Sequence, residues 1–335
     1  MLLYASVAEE YLDFARHAAA DSPCFADWAT QVAGDRDVLA WLDALPTLKR
    51  QPNLVFAAAR WHGVPAPGPY DALRAALLDD DGTLRATVLA RSTQTNEVGR
   101  LATTVPLLAQ VAATTDRPLA LVEVGASAGL TLYPDRVAYR WSGSVGGSLH
   151  PAPGGGWPPP PVLACATSGP VPLPRRPVEV AWRGGLDLHP LDVCDDDAVA
   201  WLEQLVWPED EARRERLRAA VAVARHDPPV LVRGDLLDDL PALVETAARH
   251  GEVVVVHSAV LAYVRPEERP DFVATARELV TRGACHWISN EGPQVLPEVT
   301  ATGPAVPADL ATFVLGLDGC AVAWTHPHGR SLHWL

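Results

Sequence analysis

The run LALVEVGASAGL, residues 119–130, decides the fold. Its first half is apolar, follows Pro118 and reads as a buried β-strand. Its second half turns through Gly125, Ala126, Ser127, Ala128 and Gly129, all small. LTLYPDR, residues 130–136, then reads as a short helix. A strand entering a small-residue turn at the start of a helix lets backbone approach a ligand closely. Glu123, near the strand end, brings a carboxylate to the same point.

Composition bounds what surrounds this element. A chain of 335 residues makes one large domain or two ordinary ones, and 48% hydrophobic content supplies a sizeable core. The net charge of −14 disfavours a broad basic face for nucleic-acid phosphates. Cys24, Cys165, Cys194, Cys285 and Cys320 are scattered, with no CxxC pair, so neither a zinc site nor a disulfide framework is indicated. The start, MLLYASVAEEYLDF, lacks a basic segment and does not read as a signal peptide. No apolar run reaches membrane-spanning length. The expectation is a cytoplasmic protein that uses no metal and binds neither nucleic acid nor membrane. Self-association or a partner protein is left open.

Residues 1–115 read as an all-α domain. Tyr4, Val7, Tyr11, Phe14, Ala15 and Ala18 recur at helical spacing, as do Phe25, Trp28 and Val32, then Val38, Leu39, Trp41, Leu42 and Leu45. Ser22-Pro23 is a cap with proline at the first helical position. Two polar segments interrupt the helices. One is KRQPN, residues 49–53, with Gln51 and Asn53; the other is RSTQTNEVGR, residues 91–100, with Arg91, Gln94, Asn96, Glu97 and Arg100. Such runs serve either as capped, solvated loops or as ligand-facing segments. The second feeds an apolar helix and then Pro118. It can therefore lie over the carboxyl ends of the core strands, where its buried polar groups need partners. There Glu97 is a candidate base, and Arg100 a carboxylate ligand.

From Pro118 to the end, residues 116–335, strand and helix alternate. A β-like piece at 136–141 is followed by a Gly/Pro-rich insertion, residues 142–177. It carries ten prolines between Pro151 and Pro177, which excludes regular helix. Such a long segment serves as a lid or as a loose surface loop. Strands are expected at 178–182, 229–232, 252–257 and 284–289, with helices between them. Asp187, Asp235, His257 and Glu291 follow or end these strands, where α/β sheets bind ligands. His257 is either a general base or a hydrogen-bonded structural histidine. Asp318-Gly319 between two apolar runs signals a hairpin. His326, His328 and His333 lie in a tail expected to pack on that hairpin with Trp334 buried.

Glu123-x-Gly125-x-Ser127-x-Gly129 resembles motif I of the class I S-adenosylmethionine (SAM) methyltransferases. That resemblance implies a SAM site made by Glu123, Gly125, Ser127 and Gly129. It also implies Asp187 on the ribose hydroxyls and Asp235 on the adenine amino group. The same letters resemble the Gly-x-Ser-x-Gly elbow of the α/β-hydrolases, with Ser127 as nucleophile and either Asp235 with His257 or Asp318 with His326 completing a triad. That elbow needs strands upstream, and none is visible. KRQPNLVFAA, ARSTQTNEVGR, LVEVGASAGL, GLDLHPLDV and the WPE at Trp207 together resemble the DUF2332 family, bacterial proteins with a methyltransferase-like core. The expected fold is therefore a Rossmann-like, methyltransferase-type α/β sheet closed by an antiparallel hairpin and preceded by the helical domain. The expected function is methyl transfer from SAM to a small polar molecule held between the two domains. Glu97 and His257 are the catalytic candidates, and Gln51, Asn53, Arg91, Gln94, Asn96, Arg100 and Glu291 the substrate ligands. Elimination or cyclisation on the same scaffold, or a non-catalytic binding subunit, are the alternatives.

Overall fold

The computed structural model describes residues 6–307 and 312–335. Among them are twelve α-helices and one eleven-stranded sheet. The helices before the first strand are α1 (Val7–Ala18), α2 (Pro23–Gly34), α3 (Arg36–Asp43), α4 (Pro52–Trp61), α5 (Tyr70–Leu78), α6 (Thr83–Ala90) and α7 (Leu101–Ala112). The chain forms two compact units. The first holds the residues up to Thr95 together with 195–215, and so takes in α8 (Asp196–Leu205). The second holds 96–194 and 216–335, including α7. The strand–helix alternation begins at Pro118, whereas the compact units divide at Thr95.

In the first unit the helical stripes face a common core. Val7, Tyr11, Ala15 and Ala18 are buried, as are Phe25, Trp28 and Val32; Tyr4 lies outside the described residues. Phe56 of α4 is the hub, with edge-on contacts to Tyr11, Phe25 and Trp28 at centroid distances of 5.8, 5.0 and 5.4 Å. Ser22 caps α2 by accepting from the Phe25 N–H, with Pro23 at the first helical turn.

The sheet of the second unit has strands β1 (Leu119–Val124), β2 (Ala138–Gly143), β3 (Gly147–Leu149), β4 (Val162–Ser168), β5 (Val180–Asp187), β6 (Val230–Arg233), β7 (Glu252–Ser258), β8 (His286–Glu291), β9 (Phe313–Leu317), β10 (Cys320–Thr325) and β11 (Ser331–Trp334). Their order is β3-β2-β4-β11-β10-β9-β8-β7-β1-β5-β6. The five strands from β6 to β8 are mutually parallel, and β9 and β10 return antiparallel through the Asp318-Gly319 turn. Both turn residues have positive φ, 51° and 83°, as a two-residue hairpin requires. Val253, Val254 and Val255 of β7 are buried, and Val256 is half-buried, because helices cover the sheet there. Val253 and Val255 pack with Ala120, Val122 and Val124 of β1, with Leu240, Leu243 and Val244 of α10 (Leu240–Ala248), and with Phe272, Val273 and Ala276 of α11 (Arg269–Thr281).

Three local expectations are corrected. The Pro-rich insertion is not devoid of regular structure: it supplies β3 and β4, and β4 sits inside the sheet between β2 and β11. The prolines cluster at 151–161 and 170–177 and spare 162–168, so that stretch keeps every N–H for pairing. Residues 130–136 form only a 3-10 turn at Leu130–Leu132, not an α-helix. In the tail, β11 pairs with β10 as an added strand, and Leu332 is its buried residue while Trp334 is only half-buried.

Candidate functional site at the carboxyl end of β1

The chain leaves β1 toward β5 and β6 on one side and occupies β7 and β8 on the other. The carboxyl end of β1 is thus a topological switch point, the usual place for a ligand on an open parallel sheet. The turn that follows is fastened strand by strand. Gly125 and Ala126 both donate to the Leu186 carbonyl of β5, at 2.8 and 3.2 Å. The Ser127 N–H donates to Asp187 Oδ2 (2.8 Å), and the Asp187 Oδ1 accepts from the His189 N–H (2.8 Å). Gly125, Ser127 and Gly129 all have positive φ, at 68°, 52° and 68°. A Cβ on Gly125 would stand 2.4 Å from Val260 Cγ2, so the loop after β7 lies directly on that glycine. A Cβ on Gly129 would meet Pro229 at 2.8 Å.

The segment before α7 clamps the same turn. Asn96 donates from Nδ2 to the Ala126 carbonyl (3.1 Å) and accepts at Oδ1 from the Leu130 N–H (2.6 Å). Glu97 is buried and caps the following 3-10 turn by accepting from the Gly99 N–H (3.0 Å). Arg100 donates to the carbonyls of Pro327 (2.8 Å) and Ser258 (3.0 Å), tying this segment to the end of β7.

Glu123 lies under the turn and is 8% exposed. Its Oε1 accepts from the Thr131 hydroxyl, while Oε2 is buried and finds no hydrogen-bond partner among the described residues. Burial pushes the carboxyl up to about 8, against the opposing pull of the Thr131 hydrogen bond and the Arg100 charge; Asp187 adds to the rise. Thr131 carries no sequence signal of its own and is joined to the site only by the fold.

His257 is fully buried at the end of β7, between Glu291 and Trp287. Both ring nitrogens are occupied there, which leaves no lone pair for a general base. Glu291 Oε1 also accepts from the N–H groups of Val260 (3.0 Å) and Leu261 (3.2 Å), so it holds the loop that covers Gly125. Neither Asp–His pair of the hydrolase reading is formed. Asp318 bonds His286 (2.9 Å), and Asp235 is exposed and closes its own loop by accepting from the Leu237 N–H (2.9 Å).

The remaining candidates belong to the first unit and have local partners there. Gln51 accepts from the Thr93 hydroxyl, Asn53 accepts from Trp207 Nε1 (3.1 Å), and Arg91 pairs with Asp197 between the rings of Trp61 and Trp201. Gln94 is half-buried in the same unit. Among the described residues no group of three or more His, Cys, Asp or Glu side chains is placed to hold a metal ion. His333 stacks on Trp324 at 5.1 Å and bonds Ser168, while His326 accepts from the His328 N–H. Among the described residues no helix is long and apolar enough to cross a membrane.

These elements define a mixed α/β protein in which a buried polar turn stands at the switch point of a largely parallel sheet half. The chain belongs to the family described as "Uncharacterized protein conserved in bacteria (DUF2332)", whose sequence model matches residues 61–334. No curated protein and no solved structure matches it.

Proposed function

We propose that the carboxyl end of β1 binds S-adenosylmethionine and that the protein is a methyltransferase-like enzyme acting on a small polar molecule. The strand order β6-β5-β1-β7-β8 carries this reading. That order agrees with the one a doubly wound, Rossmann-like sheet would have, and the small-residue turn at its switch point supports the reading. Glu123, Ser127 and Asp187 are the residues to hold the cofactor. Asp187 accepts a backbone N–H at each oxygen, which fixes its carboxylate at the end of β5 beside the turn. Gly125 serves the packing of Val260 instead, and Gly129 that of Pro229. Asp235 is exposed and free to meet an adenine amino group only through solvent-facing atoms. On the acceptor side stand Asn96, Glu97 and Arg100.

SAM supplies an activated methyl group, and its transfer is an in-line displacement that needs positioning above all. A base is required only when the acceptor must lose a proton, and Glu97 is the candidate in this unit. His257 keeps a structural role.

One observation favours a second reading, in which the scaffold serves other chemistry or binding alone. A 3-10 turn, not an α-helix, follows the glycine turn, so no helix dipole points at an anion there. Calorimetry and thermal shift with SAM, S-adenosylhomocysteine and a panel of nucleotides separate the two. A ligand at a hundredfold excess over its Kd adds about 2.7 kcal/mol of stability. A shift with SAM supports methyl transfer. A shift with a nucleotide and none with millimolar SAM selects the second reading.

A further inference from the structure

We propose that Arg136 and Arg183 form a second ligand site, which takes the carboxylate group of a small molecule beside Trp157. It does not depend on what binds at the end of β1. All its residues lie in the second unit. Arg183 stands on β5, opposite Leu121 of β1. Tyr133, Asp135 and Arg136 come from the segment between the 3-10 turn and β2, Trp157 belongs to the proline-rich insertion, and His226 ends α9 (Glu211–His226). Asp135 is buried and meets both guanidinium groups. Arg183 Nη2 donates to its two oxygens, at 2.8 and 2.7 Å, and Arg136 Nε lies 3.2 Å from Oδ2 as an ion pair. Arg183 also packs over the Tyr133 ring at 4.9 Å. Arg136 packs over Trp157 at 4.1 Å, and the Trp157 ring meets that of His226 at 4.5 Å.

Two features make this cluster a site for an anion. The Nε atoms of both arginines are buried and make no hydrogen bond among the described residues, and Arg183 as a whole is only 8% exposed. A buried charged donor without an acceptor is costly, so these N–H groups call for an oxygen from a ligand. The second feature is charge. Two guanidinium groups share one carboxylate, which leaves one net positive; Asp227, which also acts on Tyr133, is exposed, and water screens it. Stacking on Trp157 uses the face of the Arg136 guanidinium and leaves its in-plane N–H groups for a ligand. The Arg136 side chain is 27% exposed, so an anion reaches it from solvent at the edge of Trp157. A carboxylate fits both features: its two oxygens match the N–H fork of a guanidinium, and its single charge neutralises the cluster. A dianion would leave an excess negative charge in a buried place.

Nuclear magnetic resonance of the full chain with isotopically labelled arginine reads the Nε–H groups themselves. Arg136→Gln identifies one signal by its loss, and Arg183→Lys the other. The probes are sodium acetate, sodium sulfate and sodium chloride at matched ionic strength. Acetate should move both signals along a saturating curve in the millimolar range, sulfate should bind more weakly, and chloride should not saturate. In Arg136→Gln the acetate affinity read at the Arg183 signal should fall roughly tenfold or more, the scale of one charge-assisted hydrogen bond. The wild-type titration at the Arg136 signal stands as a test even where Arg183→Lys folds poorly. Shifts that follow ionic strength alike for the three salts overturn the proposal, and so does a tighter hold on sulfate than on acetate.

Discussion

The imidazole of His257 is locked between two side chains: Trp287 Nε1–H donates to its Nε2 (3.0 Å), and its Nδ1–H donates to Glu291 Oε1 (2.8 Å). Indole nitrogen only donates, so Nε2 must be the acceptor and Nδ1 must carry the proton. Glu291 passes this order on to the loop after β7 through the N–H groups of Val260 and Leu261. One carboxylate oxygen thus joins three donors from two directions. It explains how Ala259, a non-glycine residue at φ 56°, is held in a left-handed conformation.

Glu291→Ala should therefore be severe. It strands three donors, those of His257 and Leu261 buried and that of Val260 half-buried, at about 1–3 kcal/mol for each buried group left unsatisfied. Because they share one acceptor, the losses are not additive, and a total of about 3–5 kcal/mol is expected. Glu291→Gln keeps a carbonyl oxygen at the same place and should lose less than half as much. Denaturant midpoints of the two variants check the ranking. Equal losses would mean that the loop does not depend on that oxygen.

Glu123 predicts a pH dependence of folding. Its carboxyl is raised from 4.5 to about 8 in the folded protein, so the native state binds more protons than the unfolded chain between those values. Its contribution to stability is full below pH 4.5 and is lost as pH rises toward 8. The slope is at most about 1.4 kcal/mol per pH unit within that window. Glu123→Gln should flatten this slope and make the protein more stable than wild type at pH 8. Urea midpoints from pH 5 to 9 measure it, and parallel wild-type and variant curves would refute it.

The parallel half of the sheet was legible because each of its strands is either a run of valines and leucines or ends in a turn residue. The Asp318-Gly319 hairpin was legible for the same local reason. The other half was not. β4 is VLACATS, whose buried positions are Leu163, Cys165 and Thr167, too weak an alternation to stand out among prolines. β11 has four residues and becomes a strand only by pairing with β10 and β4, which lie elsewhere in the chain. At the site, Glu123, Ser127, Asp187, Asn96 and Arg100 were picked from the sequence and do gather around one turn. Thr131 and Val260 were invisible because nothing local marks them. The role of His257 as a locked core residue depended on Trp287 and Glu291, thirty or more residues away.

Gly125→Ala tests the contact with the loop. The substitution meets two penalties of different origin. One is the left-handed backbone, φ 68°, which costs a residue with a Cβ about 1–2 kcal/mol. The other is steric, because the new Cβ would stand 2.4 and 2.6 Å from the two Val260 methyls. Val260→Ala removes the obstructing methyls and none of the backbone strain. The double variant should therefore recover part, and only part, of the stability lost by Gly125→Ala. Full recovery would show that the backbone tolerates alanine; none would show that Val260 yields freely.

Asn96 gives the most direct test of whether the turn must be held for the site to work. Its amide spans the turn, with Nδ2 on the Ala126 carbonyl and Oδ1 on the Leu130 N–H. The two ends are not equal. The Ala126 carbonyl also accepts from the Gly129 N–H at 2.7 Å and so keeps a partner when Asn96 is removed. Leu130 is buried, and its N–H depends on Asn96 Oδ1. Asn96→Ala should thus cost about 1–3 kcal/mol, chiefly through that one donor. Asn96→Asp keeps an acceptor for Leu130 but turns a second oxygen toward the Ala126 carbonyl, and should fall between wild type and alanine. Leu130 is followed directly by Thr131, so release of the clamp also loosens the hydroxyl that holds Glu123. SAM affinity of Asn96→Ala, measured well below its melting temperature, should drop by roughly tenfold or more, the scale of losing one buried hydrogen bond. Unchanged affinity with lowered stability would mean that the turn serves the fold alone and that the ligand is held elsewhere.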